Sequence, residues 1–262
     1  MKNIDNNLIH THFISNKKEE FLNLKMLSFI RVLQIYVVQG ILCAFFLFFA
    51  VRILSRQKKK LNYYFSLFYI SEAIGLIINF IYAPLENEII VKLLNFVTNF
   101  FSFYAVIFLL VFIILLYKTE KAFDPPKQIG LLLLTGVVYF CMIFIAIIPD
   151  LGVEITEVND FTPHWGWLFF LYIMGITTGF STIPTLYYIF KIYKSFKDEN
   201  LKQRWKYFFG GILFLYGLLY SIFVRNTFFP GTIFSTVLSL FGLVFSILGS
   251  ILIYYGVGRQ LD

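Results

Sequence analysis

The chain has 262 residues, of which 59% are hydrophobic, 21% aromatic and 14% charged, with a formal net charge of +7. A soluble domain carries roughly a quarter charged residues and under half apolar ones, so a mean hydropathy of +0.77 excludes a water-soluble globular enzyme and a disordered chain alike. Two cysteines exclude a disulfide framework or a Cys-rich metal module.

What remains is an all-α, polytopic membrane protein. Crossing a hydrocarbon core of roughly 30 Å at about 1.5 Å per residue takes about 20 apolar residues. Residues 1–28 fall short of that. They open polar, with Asn3, Asp5, Asn6 and Asn7, and then mix charge with apolar residues from Glu19 to Leu27, as an interfacial amphipathic helix would. The first apolar run starts too late and is too long for a cleavable signal peptide. Residues 29–257 are expected to form a seven-helix transmembrane domain. Its spans are 29 or 36 to 54, 62–83, 89–117, 129–148, 165–190, 207–224 and 232–257. Every gap between them holds charges or Pro, and alternation at period two is absent, which excludes a transmembrane barrel. Residues 258–262 are expected to form a short cytoplasmic tail, with no catalytic output domain after the last span.

Lys and Arg in short loops set orientation, because they resist translocation. The first, third and fifth gaps hold fourteen basic residues. Five lie between Arg52 and Lys60; Lys118, Lys121 and Lys127 follow span three; Lys191, Lys194, Lys197, Lys202, Arg204 and Lys206 follow span five. The alternate gaps hold two, Lys92 and Arg225, and are acidic at Glu86, Glu88 and across 150–160. The N-terminus is therefore expected outside and the C-terminus in the cytoplasm of a multi-pass cell-membrane protein, although Lys2, Lys17, Lys18, Lys25 and Arg31 then lie on the outer side. The net positive charge meets anionic headgroups. No nucleic-acid partner is needed, since the basic residues are split among loops.

Polar residues inside the spans carry the functional reading. Glu72 is the one acid in the middle of a span. A carboxylate there costs on the order of 2.5–3.5 kcal/mol, so Glu72 is expected to be largely protonated or to cap an internal water cluster. Gly75 and Asn79 share its helix face. On span three, Asn95, Asn99 and Ser102, with Thr98, form a facing polar stripe. Together these are either a packing zipper or the lining of a ligand or ion cavity. Span five carries Thr177, Ser181 and Thr185, flanked by Thr178 and Thr182, with Pro184 removing a backbone donor. That pattern fits a kinked packing helix or a hinge beside a pocket. Tyr216 and Tyr220 on span six either face a cavity or pack as core aromatics.

Span seven reads Ser235, Ser239, Gly242, Ser246, Gly249 and Ser250, a small-residue face for close helix packing, within the chain or in an oligomer. The stretch 163–167, with Trp165 and Trp167, reads as an aromatic interface anchor. His10 and His12 are too few to argue a metal site. Cys43 and Cys141 read as unpaired thiols, and no cofactor is implied.

Several classes are excluded by what is missing. Span seven has no Lys for a retinal Schiff base. Leu116-Tyr117-Lys118 stands where G-protein-coupled receptors carry D/E-R-Y. No span holds a His or Asp for intramembrane proteolysis. Ion-coupled transport calls for several intramembrane charges and broken helices. No enzymatic activity is expected.

From Asn62 to about Phe223 the chain resembles the seven-transmembrane N-terminal sensor region of prokaryotic histidine kinases. The likeness is carried by Phe68-Tyr69-Ile70-Ser71-Glu72-Ala73-Ile74-Gly75. It also rests on the stretch from Trp165 through Leu171-Tyr172 to Lys202-Gln203-Arg204 and Gly210-Gly211. The kinase itself is missing. The resemblance implies a stand-alone sensor module that passes its signal to a separate, kinase-like partner through the loop from Lys191 to Lys206. A small-solute or lipid transporter and a structural subunit of a membrane complex are the alternatives.

Overall fold

The computed structural model describes residues 29–55, 59–156, 162–230 and 232–257. The expected tails 1–28 and 258–262, with His10 and His12, lie outside the described residues, as do Arg56, Lys58, Glu157 and Asp160.

The described chain is all-α, with seven helices long and apolar enough to cross a membrane. Helix α1 begins at Phe29–Val32, passes through a π-helical turn at Leu33–Val38 and continues as Gln39–Leu54. Then follow α2 (Lys60–Tyr82), α3 (Glu88–Ala122) and α4 (Pro125–Phe140, continued by Met142–Ala146). Helix α5 runs Trp167–Ile176, a second π-helical turn Thr177–Thr182, and Ile183–Ser195. Helices α6 (Glu199–Phe228) and α7 (Ile233–Gly256) complete the bundle.

The starts of these helices follow from local chemistry. Asn87 Oδ1 accepts from the N–H groups of Ile89 and Ile90, opening α3. Asp198 accepts from Asn200 N–H at α6, and Thr232 from Ser235 N–H at α7. Pro125 and Pro126 occupy the first positions of α4, where a missing N–H costs nothing.

Helix α3 is the hub: 61% of its apolar stretch is buried, against 17% for α4 at the periphery. It packs on α2, α4 and α5, while α6 and α7 pack along one another and α7 returns to α1. Phe65 stacks on Phe112 at 4.7 Å between α2 and α3. Close helix approach occurs where side chains are absent. A Cβ on Gly211 would stand 2.6 Å from the Gly249 carbonyl oxygen, so these two glycines set the α6–α7 crossing. Ser246 and Ser250 are buried in the same region. The small-residue face of α7 is thus spent within one chain, on α6 and on the cavity described below.

Between α4 and α5 a short antiparallel pair, β1 (Val153–Glu154) and β2 (His164–Trp165), is reached through Asp150 in the left-handed region. Trp165 differs from the expected interface anchor. It is 1% exposed and packs edge-on against Phe103 and Phe169. Strand pairing turns it inward, and Trp167, two residues on, remains outside.

The bundle surface is apolar all round. Leu133, Leu134, Val137, Phe140 and Phe144 are exposed on α4, as are Phe48 and Val51 on α1 and Phe241 and Val244 on α7.

Candidate functional site

One end of the bundle holds the start of α1, the α2–α3 and α6–α7 connections and the β pair. There a cavity of about 210 Å³ lies between α1, α2, α3, α6 and α7. Its deep part is apolar, lined by Leu42, Phe46, Phe68, Leu76, Val106, Leu215 and Leu219, with Glu72 among them. Its mouth is polar, with Gln34, Gln39, Asn79, Tyr82, Asn95, Asn226 and Ser239 beside two guanidinium groups, Arg31 and Arg225.

Each polar group is placed by its helix. In the π turn of α1, Gln39 N–H bonds to the Gln34 carbonyl, five residues back. Residues five apart on an α-helix point about 140° from each other at 3.6 residues per turn. The wider turn brings both amides to the cavity. Gln34 Nε2 donates to Thr236 Oγ1 at 2.7 Å, joining α1 to α7, and Asn79 Nδ2 donates to Gln39 Oε1, joining α2 to α1.

A directional chain runs along α3. Asn99 Nδ2 donates to Asn95 Oδ1 at 3.0 Å, and Asn95 Nδ2 donates to the Tyr82 hydroxyl at 2.8 Å. Deeper, the Ser102 hydroxyl lies close to the Glu72 carboxyl, and both line the cavity. Gly75 permits this approach, since a Cβ there would lie 2.6 Å from Ser102 Oγ.

Arg225 stands on the last turn of α6. Nε donates to Asn226 Oδ1 at 3.0 Å and Nη1 to Ser239 Oγ at 2.8 Å. The sequence reading ends span six at Val224 and leaves Arg225 in a loop; in the structure α6 continues to Phe228 and turns Arg225 inward. A charge lowers local hydropathy without breaking a helix, and the first breaker here is Pro230. Arg31 is also buried against the cavity, where the sequence placed it simply on the outer side.

The ten residues singled out for a cavity therefore divide. Glu72, Asn79, Asn95, Asn99 and Ser102 line it together. Thr177, Ser181, Thr185, Tyr216 and Tyr220 gather in a second polar cluster, away from the cavity lining. Tyr139 donates to Thr177 at 3.2 Å, Tyr216 bonds Ser181 at 2.7 Å and Thr185 at 3.1 Å, and Tyr220 bonds Thr178 and Thr182 at 2.7 and 2.8 Å. Pro184 follows the π turn, where Ile183 N–H reaches back five residues to the Thr178 carbonyl. Ser235, Ser239 and Gly242 of α7 also line the cavity. Gln34, Gln39, Arg31 and Arg225 were missed. Two glutamines in an apolar run, and an arginine without a nearby helix breaker, were the available signals.

At the opposite end, cations rest on tyrosines. Lys191 Nζ lies 4.5 Å from the Tyr187 ring centroid, and Lys118 lies over Tyr188. Arg52 Nε donates to Tyr254 at 2.9 Å. In the α5–α6 connection, Lys191, Lys194, Lys197, Arg204 and Lys206 are exposed, and Lys202 pairs with Glu199 at 2.6 Å. Trp205 Nε1 donates to the Ile189 carbonyl at 2.9 Å, holding the two sides of this loop together.

No protein-family model, no curated protein and no solved structure matches the chain.

Proposed function

We propose that this chain is a stand-alone, receptor-like module of a cell membrane: a small ligand enters the cavity from outside, and the lysine-bearing α5–α6 loop reports its binding to a separate, kinase-like partner in the cytoplasm. The supporting observation is the cavity itself, with a polar end and an apolar interior, inside a bundle whose outer surface is apolar on every side. An exposed apolar surface of this extent suits lipid rather than water. The cation–tyrosine contacts of Arg52, Lys118 and Lys191 suit a headgroup boundary at the cytoplasmic end. Ligand entry at one end and partner contact at the other require two packings that the ligand binds unequally.

The test uses single cysteines at Ser239 and Lys197 in a chain whose Cys43 and Cys141 are replaced by Ala, probed with a membrane-impermeant thiol reagent. Ser239→Cys should react only from outside, and Lys197→Cys only from inside. Reaction of Ser239→Cys from both sides would mark a transport path and defeat the receptor reading.

A further inference from the structure

We propose that the cavity selects a ligand bearing one anionic group, a carboxylate or phosphate ester, seated on Arg225 and Tyr82 with an apolar stem directed toward Glu72. The inference deepens the receptor reading above and names the chemistry of its ligand.

Arg225 is the first ground. A guanidinium is always charged and carries several donors in a planar fork that matches carboxylate and phosphate. Here Nε and Nη1 are held by neutral acceptors, Asn226 and Ser239. Among the described residues Nη2 has no acceptor and no carboxylate pairs with the group. A guanidinium half-buried in an apolar bundle without a counter-charge calls for one. Glu72 does not supply it. Tyr82 lies within electrostatic reach of Arg225, and Glu72 is ten residues earlier on α2, about 15 Å of helix rise.

Tyr82 is the second ground. Its hydroxyl accepts from Asn95, which accepts from Asn99. Each bond polarises the next, so the Tyr82 proton is a strengthened donor at the end of the chain. Among the described residues that proton has no acceptor. Both Arg31 and Arg225 act electrostatically on this hydroxyl. Arg225 and Tyr82 thus line the same end of the cavity, setting positive charge and a polarised O–H together as an anion requires. Below it, Leu42, Phe46, Leu76 and Leu215 offer an apolar lining suited to an apolar stem.

A soluble short-chain anion and the headgroup of an anionic lipid share this chemistry. The test measures octanoate and octyl phosphate binding to the full chain in nanodiscs of phosphatidylcholine, with octylamine and octanol as charge controls. Saturable binding of the two anions alone is expected. Arg225→Gln and Tyr82→Phe should each weaken it, the former by at least ~tenfold, as loss of a charge-assisted bond predicts. Lys92→Gln, removing an exposed charge at the same end, should leave binding unchanged. Adding phosphatidylglycerol to the nanodiscs separates the sources. Competition that disappears in Arg225→Gln identifies a lipid headgroup, and absence of competition identifies a soluble anion. Equal binding of octanol, or binding indifferent to both Arg225→Gln and Tyr82→Phe in chains with native helicity and melting, would overturn the proposal. Flux of octyl phosphate into vesicles that requires the protein would defeat the receptor reading while leaving the anion site standing.

Discussion

The hydroxyls of Tyr216 and Ser181 meet at 2.7 Å between α6 and the π turn of α5. Because Tyr216 donates to Thr185 at 3.1 Å, Ser181 is the donor of the pair, and the tyrosine is the middle of a relay joining two turns of α5. Replacing Tyr216 by Phe leaves Ser181 a donor with nothing to bond but its own helix. Interhelical bonds of this kind contribute roughly 0.6 kcal/mol, up to about 1.7. A double-mutant cycle of Tyr216→Phe and Ser181→Ala, read by reversible unfolding in mild detergent, is expected to give a coupling of about 0.5–1 kcal/mol. Additive effects would show that the contact contributes no stability.

The α2–α3 approach beside Glu72 is set by a missing methyl group. A Cβ at Gly75 would stand 2.6 Å from Ser102 Oγ and 3.1 Å from the Thr98 carbonyl oxygen, which is backbone and cannot swing aside. Gly75→Ala should therefore cost about 1–3 kcal/mol by overpacking. Ser102→Ala in the same chain should recover part of that loss, since it removes the closer of the two contacts. Unchanged melting of Gly75→Ala would mean that the helices are free to separate.

The π turn of α5 holds one residue more than an α-helix needs. Gly179 lies in it, exposed, and a Cβ there would meet nothing within 4 Å. Deleting Gly179 should convert the turn to α-helix and keep the faces on either side of it. Deleting Gly217, in regular α6, should rotate everything beyond it by about 100° and take Tyr220, Phe223 and Arg225 off their partners. The first chain is expected to purify as a folded monodisperse species and the second to be lost, as scored by size-exclusion fluorescence.

The seven helices were legible because length and apolarity are additive along the chain, and a span needs little else. The stripe of Asn95, Asn99 and Ser102 facing Glu72 was legible too, because i, i+4 spacing survives in an unbroken α-helix such as α3. Gln34 and Gln39 were not, since a spacing of five belongs to no α-helical face and only the π turn unites them. Arg225 was hidden by its own charge, which reads as the end of a span while the backbone runs on to Phe228. Trp165 was misplaced because two-residue strands leave no periodicity, and it is β pairing that turns its indole inward. Whether a polar face meets a neighbour or a cavity depends on what stands opposite. Thr177 and Ser181 met tyrosines, and Asn95 and Asn99 met the arginine end.

Glu72 lies where the apolar channel meets Ser102, so its chemistry should govern signalling more than folding. Glutamine keeps its shape and its acceptor, and Glu72→Gln is expected to leave the fold intact and to cost less stability than Glu72→Leu. Leucine strips Ser102 of its polar neighbour and leaves the deep end of the channel without its carboxyl. Spin labels at Lys194→Cys and Lys206→Cys, across the α5–α6 loop, offer a direct reading of the far end in a chain lacking Cys43 and Cys141. In the otherwise native sequence, octanoate should shift the distance distribution between two populations. Glu72→Gln should alter the ratio of those populations, and Glu72→Leu should abolish the shift, because a ligand moves an equilibrium only by its unequal affinity for the two states. If Glu72→Leu responds as the parent does, the deep end of the cavity plays no part in transmission, and the input must be sought at the arginine mouth alone.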